Sequence, residues 1–301
     1  MRTVAPFLRS AVAAALAVAA VTLTACSAPP RPAQPSVAAS YYVALGDSLA
    51  QGVQPNASGA SVETAQGYPD LVYARLRTGH PGLRLVRLGC PGETTRTMMH
   101  GGICAYAGGS QLTAATAFLR AHRGHVYLVT LDIGANDPEN CSSQPSLGAL
   151  ASCVRQTPKA AANLAAILAS LRAAAGPRVR IVGMSYYLPA LAEWRNGMVG
   201  HAIALVSETI AATYNDLLMH AYSQAGIKVA DVFGAFATSD FGHPVAVPGI
   251  GSLPRNVARI CQWTWECAPP PRGPNQHANP AGYRVIAGAI LKAANLGISG
   301  P

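Results

Sequence analysis

The chain carries little charge for its length. Of 301 residues, 12% are charged, 13 are acidic and three are lysines (Lys159, Lys228 and Lys292), so most of the formal charge of +9 comes from arginine. No run of five basic residues occurs, and Arg75, Arg77, Arg84 and Arg87 are spaced out by apolar neighbours. A scattered positive charge offers no stripe along which a nucleic-acid backbone could lie, so no nucleic-acid partner is expected. There is no Cys-x-x-Cys pair and no His-Glu-x-x-His, which removes the common zinc signatures; neither a metal nor a cofactor is expected. Internal repeats are absent.

Half of the residues are hydrophobic, enough for a large core. The start reads as an address. Arg2 and Arg9 precede or flank a small-residue apolar run from Ala11 to Ala20, closed by Leu23-Thr24-Ala25-Cys26. That pattern is a secretory signal over residues 1–25, and its apolar stretch is too short for a membrane span. The Leu-Thr-Ala-Cys ending resembles a bacterial lipobox, with Cys26 as the lipidated first residue of the mature chain. Residues 26–40, with Pro29, Pro30, Pro32 and Pro35, form an extended tether. The expected location is outside the cell or anchored to its envelope, with a membrane contact through Cys26. Residues 41–297 are expected to form one domain.

Excluding Cys26, six cysteines remain, and they fall into three sequence-local pairs: Cys90 with Cys104, Cys141 with Cys153, Cys261 with Cys267. An even count in an exported chain implies disulfides, each here closing a short loop. Five strands are expected at 41–46, 83–88, 126–133, 178–184 and 227–231. Helices are expected at 67–78, 110–122, 158–175, 198–225 and 280–295. Thr157 caps the third and Pro158 suits its first turn. Alternation of this kind implies an α/β fold with a parallel sheet covered on both faces. Residues 233–275 show little periodicity; Cys261–Cys267 would hold that long loop, with Trp263 and Trp265 either packing it or lining an acyl pocket.

Chemistry gathers at the ends of the first three strands. Gly46-Asp47-Ser48 follows the first, Cys90-Pro91-Gly92-Glu93 the second and Gly134-Ala135-Asn136-Asp137 the third. Active sites of open α/β sheets lie at carboxyl strand ends. Acyl transfer needs a hydroxyl nucleophile, a base and donors for the oxyanion. Ser48 offers the first, a glycine turn and an Asn side chain offer uncharged donors, and His277, in a loop before a helix beginning at Pro280, offers the base. Asp47 and Asp137 are expected to hold their own turns.

These blocks together resemble the GDSL or SGNH hydrolases, over nearly all of the mature chain. The resemblance implies a flavodoxin-like three-layer α/β/α fold with a central parallel sheet of about five strands. It implies Ser48 as nucleophile, His277 as general base, and an oxyanion hole from the backbone N–H groups of Ser48 and Gly92 with the Asn136 side chain. The local cysteine pairs and the Trp-bearing loop look like the secreted actinobacterial branch, which holds lipases, phospholipases and esterases. One position departs. The family usually has Asp three residues before its His, and here Pro274 stands there. Some members of that branch use a main-chain carbonyl, so the Pro274 carbonyl is the first candidate to orient His277, with Glu266 and Asp240 as alternatives.

The expected function is thus ester hydrolysis by a monomer, on a small-molecule ester or lipid. Two other readings are an acyl or acetyl esterase, or acyltransferase, on envelope carbohydrate, and an inactive binding lipoprotein on the same scaffold.

Overall fold

The fold grows outward from β1 (Ser40–Gly46), whose last five residues are buried. Its neighbours are β2 (Leu83–Arg87), β3 (Val126–Asp132), β4 (Arg180–Met184) and β5 (Lys228–Ala230), and the sheet order is β2-β1-β3-β4-β5. Every pairing is parallel. The computed structural model describes residues 40–137 and 147–296, apart from the side chains of 147–156. The expected signal segment, Cys26, most of the tether and the Cys141–Cys153 pair lie outside the described residues.

Parallel strands must be joined by crossovers, which cover the sheet with helices. One face carries α1 (Tyr68–Leu76) against α8 (Pro280–Ala293). On the other lie α2 (Thr95–His100) and α3 (Gln111–Ala121), with α4 (Leu147–Ala175) packed against α3 and against α5 (Gly197–Gln224). Burial on both faces explains the apolar runs of the central strands: Tyr42 to Leu45 and Leu128 to Leu131 are fully enclosed. Each large apolar side chain so enclosed contributes roughly 1.5–3 kcal/mol. The flavodoxin order and the three layers match the expectation.

Two expectations are corrected. Helix α4 begins at Leu147 and contains Pro158, so Thr157 is interior and not a cap. A proline inside a helix costs roughly 3 kcal/mol, yet the helix runs on through it. The stretch 233–275 is structured: it contains a two-stranded ribbon (Pro244–Val247 with Gly251–Pro254) and α7 (Arg255–Trp263), after α6 (Val232–Ala235). Elements of 4 to 9 residues are too short for periodicity to reveal. Cys90–Cys104 and Cys261–Cys267 are bonded as expected.

Candidate active site

Strand β1 delivers Ser48 through Gly46, whose φ of +130° places a hypothetical Cβ 2.0 Å from the Asp132 carbonyl oxygen. A side chain at this position would meet main chain, so glycine is required. Beyond it the chain coils once: Gln51 and Val53 both donate to the Ser48 carbonyl, at 3.2 and 3.0 Å. Asp47 is buried and accepts from the Leu49 N–H at 3.0 Å, holding its own turn as expected. A second buried acid grips the same turn from β3. Asp132 accepts from the Ala50 N–H at 3.1 Å and from the Tyr68 hydroxyl. Burial pushes both carboxyls upward, and for Asp132 the neighbouring charge of Asp47 adds to it, taking Asp132 well above the carboxylate range. The nucleophile turn thus stands on an acid pair that favours a shared proton.

The next two loops meet each other. After β2, Gly92 sits exposed at a turn with φ +82°. After β3, the Asn136 side-chain amide donates to the Glu93 carbonyl at 2.9 Å. An Asn amide has two N–H donors, so one remains for another acceptor. Asp137 reaches another loop: its carboxylate accepts from the Thr95 N–H at 2.8 Å and from the Thr95 hydroxyl, at the first turn of α2. Its own turn is closed by the backbone bond from the Asp137 N–H to the Gly134 carbonyl at 3.2 Å.

His277 enters from the far end of the chain. Its loop is laced to the end of α7: Trp265 N–H donates to the His277 carbonyl at 3.0 Å and Asn275 N–H to the Trp265 carbonyl at 3.2 Å. Asn279 then caps α8, accepting from the N–H groups of Ala281 and Gly282 at 2.9 and 3.1 Å. Tyr283, fully buried on α8, donates to the Val53 carbonyl at 2.9 Å and so fastens this helix to the nucleophile turn.

The partner of His277 is a correction. Its Nδ1 lies 2.8 Å from the Asn275 side-chain oxygen, not on the Pro274 carbonyl. That oxygen also accepts from the His277 backbone N–H at 3.1 Å, while the Asn275 amide nitrogen donates to the Ser61 hydroxyl at 3.0 Å. An oxygen can only accept, so Nδ1 carries the proton and Nε2 presents its lone pair. Burial lowers the His277 pKa to about 4. Asp240 is also ruled out as orienter, being bound to His243 and Arg255.

Ser48, Asn136 and His277, drawn from three distant segments, line one cleft of about 510 Å³. Asp47 lies beneath, and Leu49, Leu188, Pro189 and Ile210 give the walls much of their apolar character. Pro274 and Glu266 reach this cleft; Gly92 and Asp240 do not line it. Burial, then the charge of Glu193, raise the Glu266 carboxyl. Among the described residues the Ser48 hydroxyl has no hydrogen-bond partner; such contacts commonly tighten only with substrate bound. Trp263 and Trp265 are packing residues: the first meets Phe236 edge-on at 5.0 Å, and the second donates to Gln54 at 3.4 Å.

Residues 44–285 match the profile of the GDSL-like lipase/acylhydrolase family. The chain belongs to that family. Membership makes this GDSL-like protein a carboxylic ester hydrolase acting on a small-molecule ester. A comparison with curated proteins returns no match. Among solved structures, the extracellular lipase of Streptomyces rimosus is 20% identical with a TM-score of 0.56, over 85% of this chain and 100% of that one. The acetylxylan esterase of Geobacillus stearothermophilus is 16% identical with a TM-score of 0.51, over 86% and 95%. Both likenesses concern the fold.

Sequence reasoning missed Asn275, although it stands two residues before His277. An Asx turn puts the Asn oxygen on the backbone N–H two positions later, here within reach of the ring as well, and an Asn followed by any residue and then His was the available signal. Nothing local pointed to Asp132 or to Tyr186, whose hydroxyl lies 3.4 Å from the Asp47 carboxylate.

Proposed function

We propose that this GDSL-like hydrolase is an exported serine esterase or lipase working through a Ser48 acyl-enzyme. The observation that carries this reading is the meeting of Ser48, Asn136 and a correctly tautomerised His277 in one apolar-walled cleft. Ser48 Oγ attacks the ester carbonyl carbon, and its proton passes to His277 Nε2. The negative oxygen is met by the backbone N–H of Ser48 and the second N–H of Asn136; the Gly92 N–H, outside the cleft lining but next to the Glu93 that Asn136 holds, is the third donor. The alcohol leaves with the proton held on His277. Water then gives a proton to His277, attacks the acyl carbon and releases the acid, restoring the Ser48 hydroxyl. Asn275 holds the ring in place; as a neutral acceptor it stabilises the imidazolium less than a carboxylate does.

Export by residues 1–25, a lipid anchor on Cys26, the tether 26–40 and a monomeric state belong to the same proposal. Two disulfides are compatible with an oxidising compartment, and among the described residues no helix is long and apolar enough to cross a membrane.

The test is hydrolysis of p-nitrophenyl esters from acetyl to palmitoyl, alongside mass spectrometry of protein treated with an alkyl organophosphonate. Turnover with one adduct on Ser48 is expected. A cleft whose rim also presents Glu193, Glu266 and Gln276 favours, as second reading, esters on envelope carbohydrate; activity confined to acetylated glycans would select it. Folded protein that neither labels nor hydrolyses any of these would leave the inactive binding lipoprotein.

Asn275→Ala is expected to lower kcat about 10²-fold, within the range that a positioned base contributes, with little change in KM. Asn275→Asp should retain activity and move the acid limb of kcat/KM to higher pH, because a carboxylate favours the imidazolium. A full pH–rate series on the three proteins checks both.

A further inference from the structure

Gln111, at the start of α3, is fully buried and sits against the end of β1. Its side-chain oxygen accepts from the Gly46 N–H at 2.7 Å and its amide nitrogen donates to the Gly46 carbonyl at 2.9 Å. A carboxamide carries the same donor and acceptor as a peptide unit, so Gln111 pairs with Gly46 like a short strand, taking its N–H and sharing its carbonyl with the Cys90 N–H, which donates to it at 3.0 Å. The same amide nitrogen lies 3.1 Å from a carboxylate oxygen of Glu93 and 3.3 Å from the Tyr106 hydroxyl. Glu93 is buried, follows Gly92 directly, and gives its carbonyl to Asn136. One side chain thus touches the residue that precedes Asp47-Ser48 and the residue that links the other two oxyanion segments.

We propose that Gln111 is a positioning residue that sets the spacing between the Ser48 turn and the Gly92–Asn136 pair, and so the shape of the oxyanion hole. It acts through Gly46 and Glu93 and touches no substrate. The inference rests on the reading of Ser48, Gly92 and Asn136 as oxyanion donors. Misplacing donors affects the transition state more than the bound ester, so the loss falls on kcat rather than KM.

Two variants test it in the disulfide-intact protein. Gln111→Met keeps the length and removes both polar contacts with Gly46. Gln111→Glu keeps an acceptor for the Gly46 N–H but sets a carboxylate against the Gly46 carbonyl and Glu93. The titratable groups around this point are Glu93 and Tyr106, with Glu63 acting on Tyr106, and Asp47 and Asp132 across the end of β1. Burial raises the Glu93 carboxyl, and a new acid beside it should be raised likewise. Its protonated form regains a donor, so the ratio of Gln111→Glu to parent kcat should climb as pH falls. For Gln111→Met, kcat should fall between about tenfold and a hundredfold with KM within about twofold, and that ratio should stay flat with pH. Hydrogen exchange should quicken at least tenfold in peptides covering 44–50 and 90–96, and not in β4. A loss confined to KM, a flat ratio for Gln111→Glu, or unchanged exchange in both peptides overturns the proposal. If the parent hydrolyses no ester, the catalytic reading fails separately, and the exchange result still decides whether Gln111 couples the two loops.

Discussion

Ser48→Ala is expected to lower kcat on a p-nitrophenyl ester by a factor on the order of 10⁶, the scale seen when a serine hydrolase loses its nucleophile. Its melting temperature should stay within about 2 °C of the parent, the shift that a surface-scale change of about 0.5 kcal/mol produces in a domain of this size. The second expectation follows from what Ser48 does structurally. Its side chain is half-buried, and the bonds that coil the turn run to its backbone carbonyl, which alanine retains. No neighbour can replace it. Ser61 and Ser207 also line the cleft, but the Ser61 hydroxyl is held by the Asn275 amide and Ser207 belongs to the packed face of α5. Neither follows a strand end with main-chain donors beside it. Stopped-flow burst kinetics, steady-state turnover and a thermal melt on the same sample check all of this. Residual kcat above about 1% of the parent in a folded variant would place the nucleophile elsewhere.

What could be read from the sequence was local. Strand β1 announces itself as an apolar run closed by Gly46-Asp47-Ser48, and the ends of β2 and β3 do the same with Gly92 and Gly134-Ala135-Asn136. A strand that is buried on both faces needs such runs, and the parallel sheet follows from the helices between them. The candidate site was legible where Ser48, Asn136 and His277 lie close to element boundaries, at which turn residues stand out; Gly92, expected with them, does not line the cleft. Thr157-Pro158 misled for the same reason: a cap signature is judged by a few neighbours, while α4 continues through it. Contacts spanning the chain left no trace. Gln111 meets a glycine 65 residues earlier, Asp132 an amide 82 residues away, and Tyr283 a carbonyl 230 residues away. Each is a common residue in an ordinary local setting, and what makes it matter is the partner that the topology brings. Asn275 lies between these cases, since its role depends on an Asx turn where a family pattern directs attention one residue further back.

His277→Ala should separate activity from acid stability, moving them in opposite directions. A base must be neutral to take the Ser48 proton, and burial lowers the His277 pKa from 6.5 to about 4. The parent should therefore hold its kcat/KM down through the pH range where an exposed histidine would already be charged, and lose it through about pH 4. Removing the ring should reduce kcat by a factor on the order of 10⁶, leaving no acid limb of that midpoint. Stability runs the other way. Above about pH 6.5 neither the folded nor the unfolded chain protonates this residue; between there and about pH 4 the unfolded chain binds the proton and the folded one does not. The unfolded state then binds more protons, so parent stability falls as pH drops through that window and levels off below it. Alanine has no such linkage, so the variant should lose less stability between pH 7 and pH 4 than the parent does. Urea melts of both proteins at a series of pH values, set beside their pH–rate profiles, measure the two effects together. A variant that kept a parent-like acid limb would exclude His277 as the base, whereas identical pH dependence of the melts would show that its ring is not desolvated by the fold.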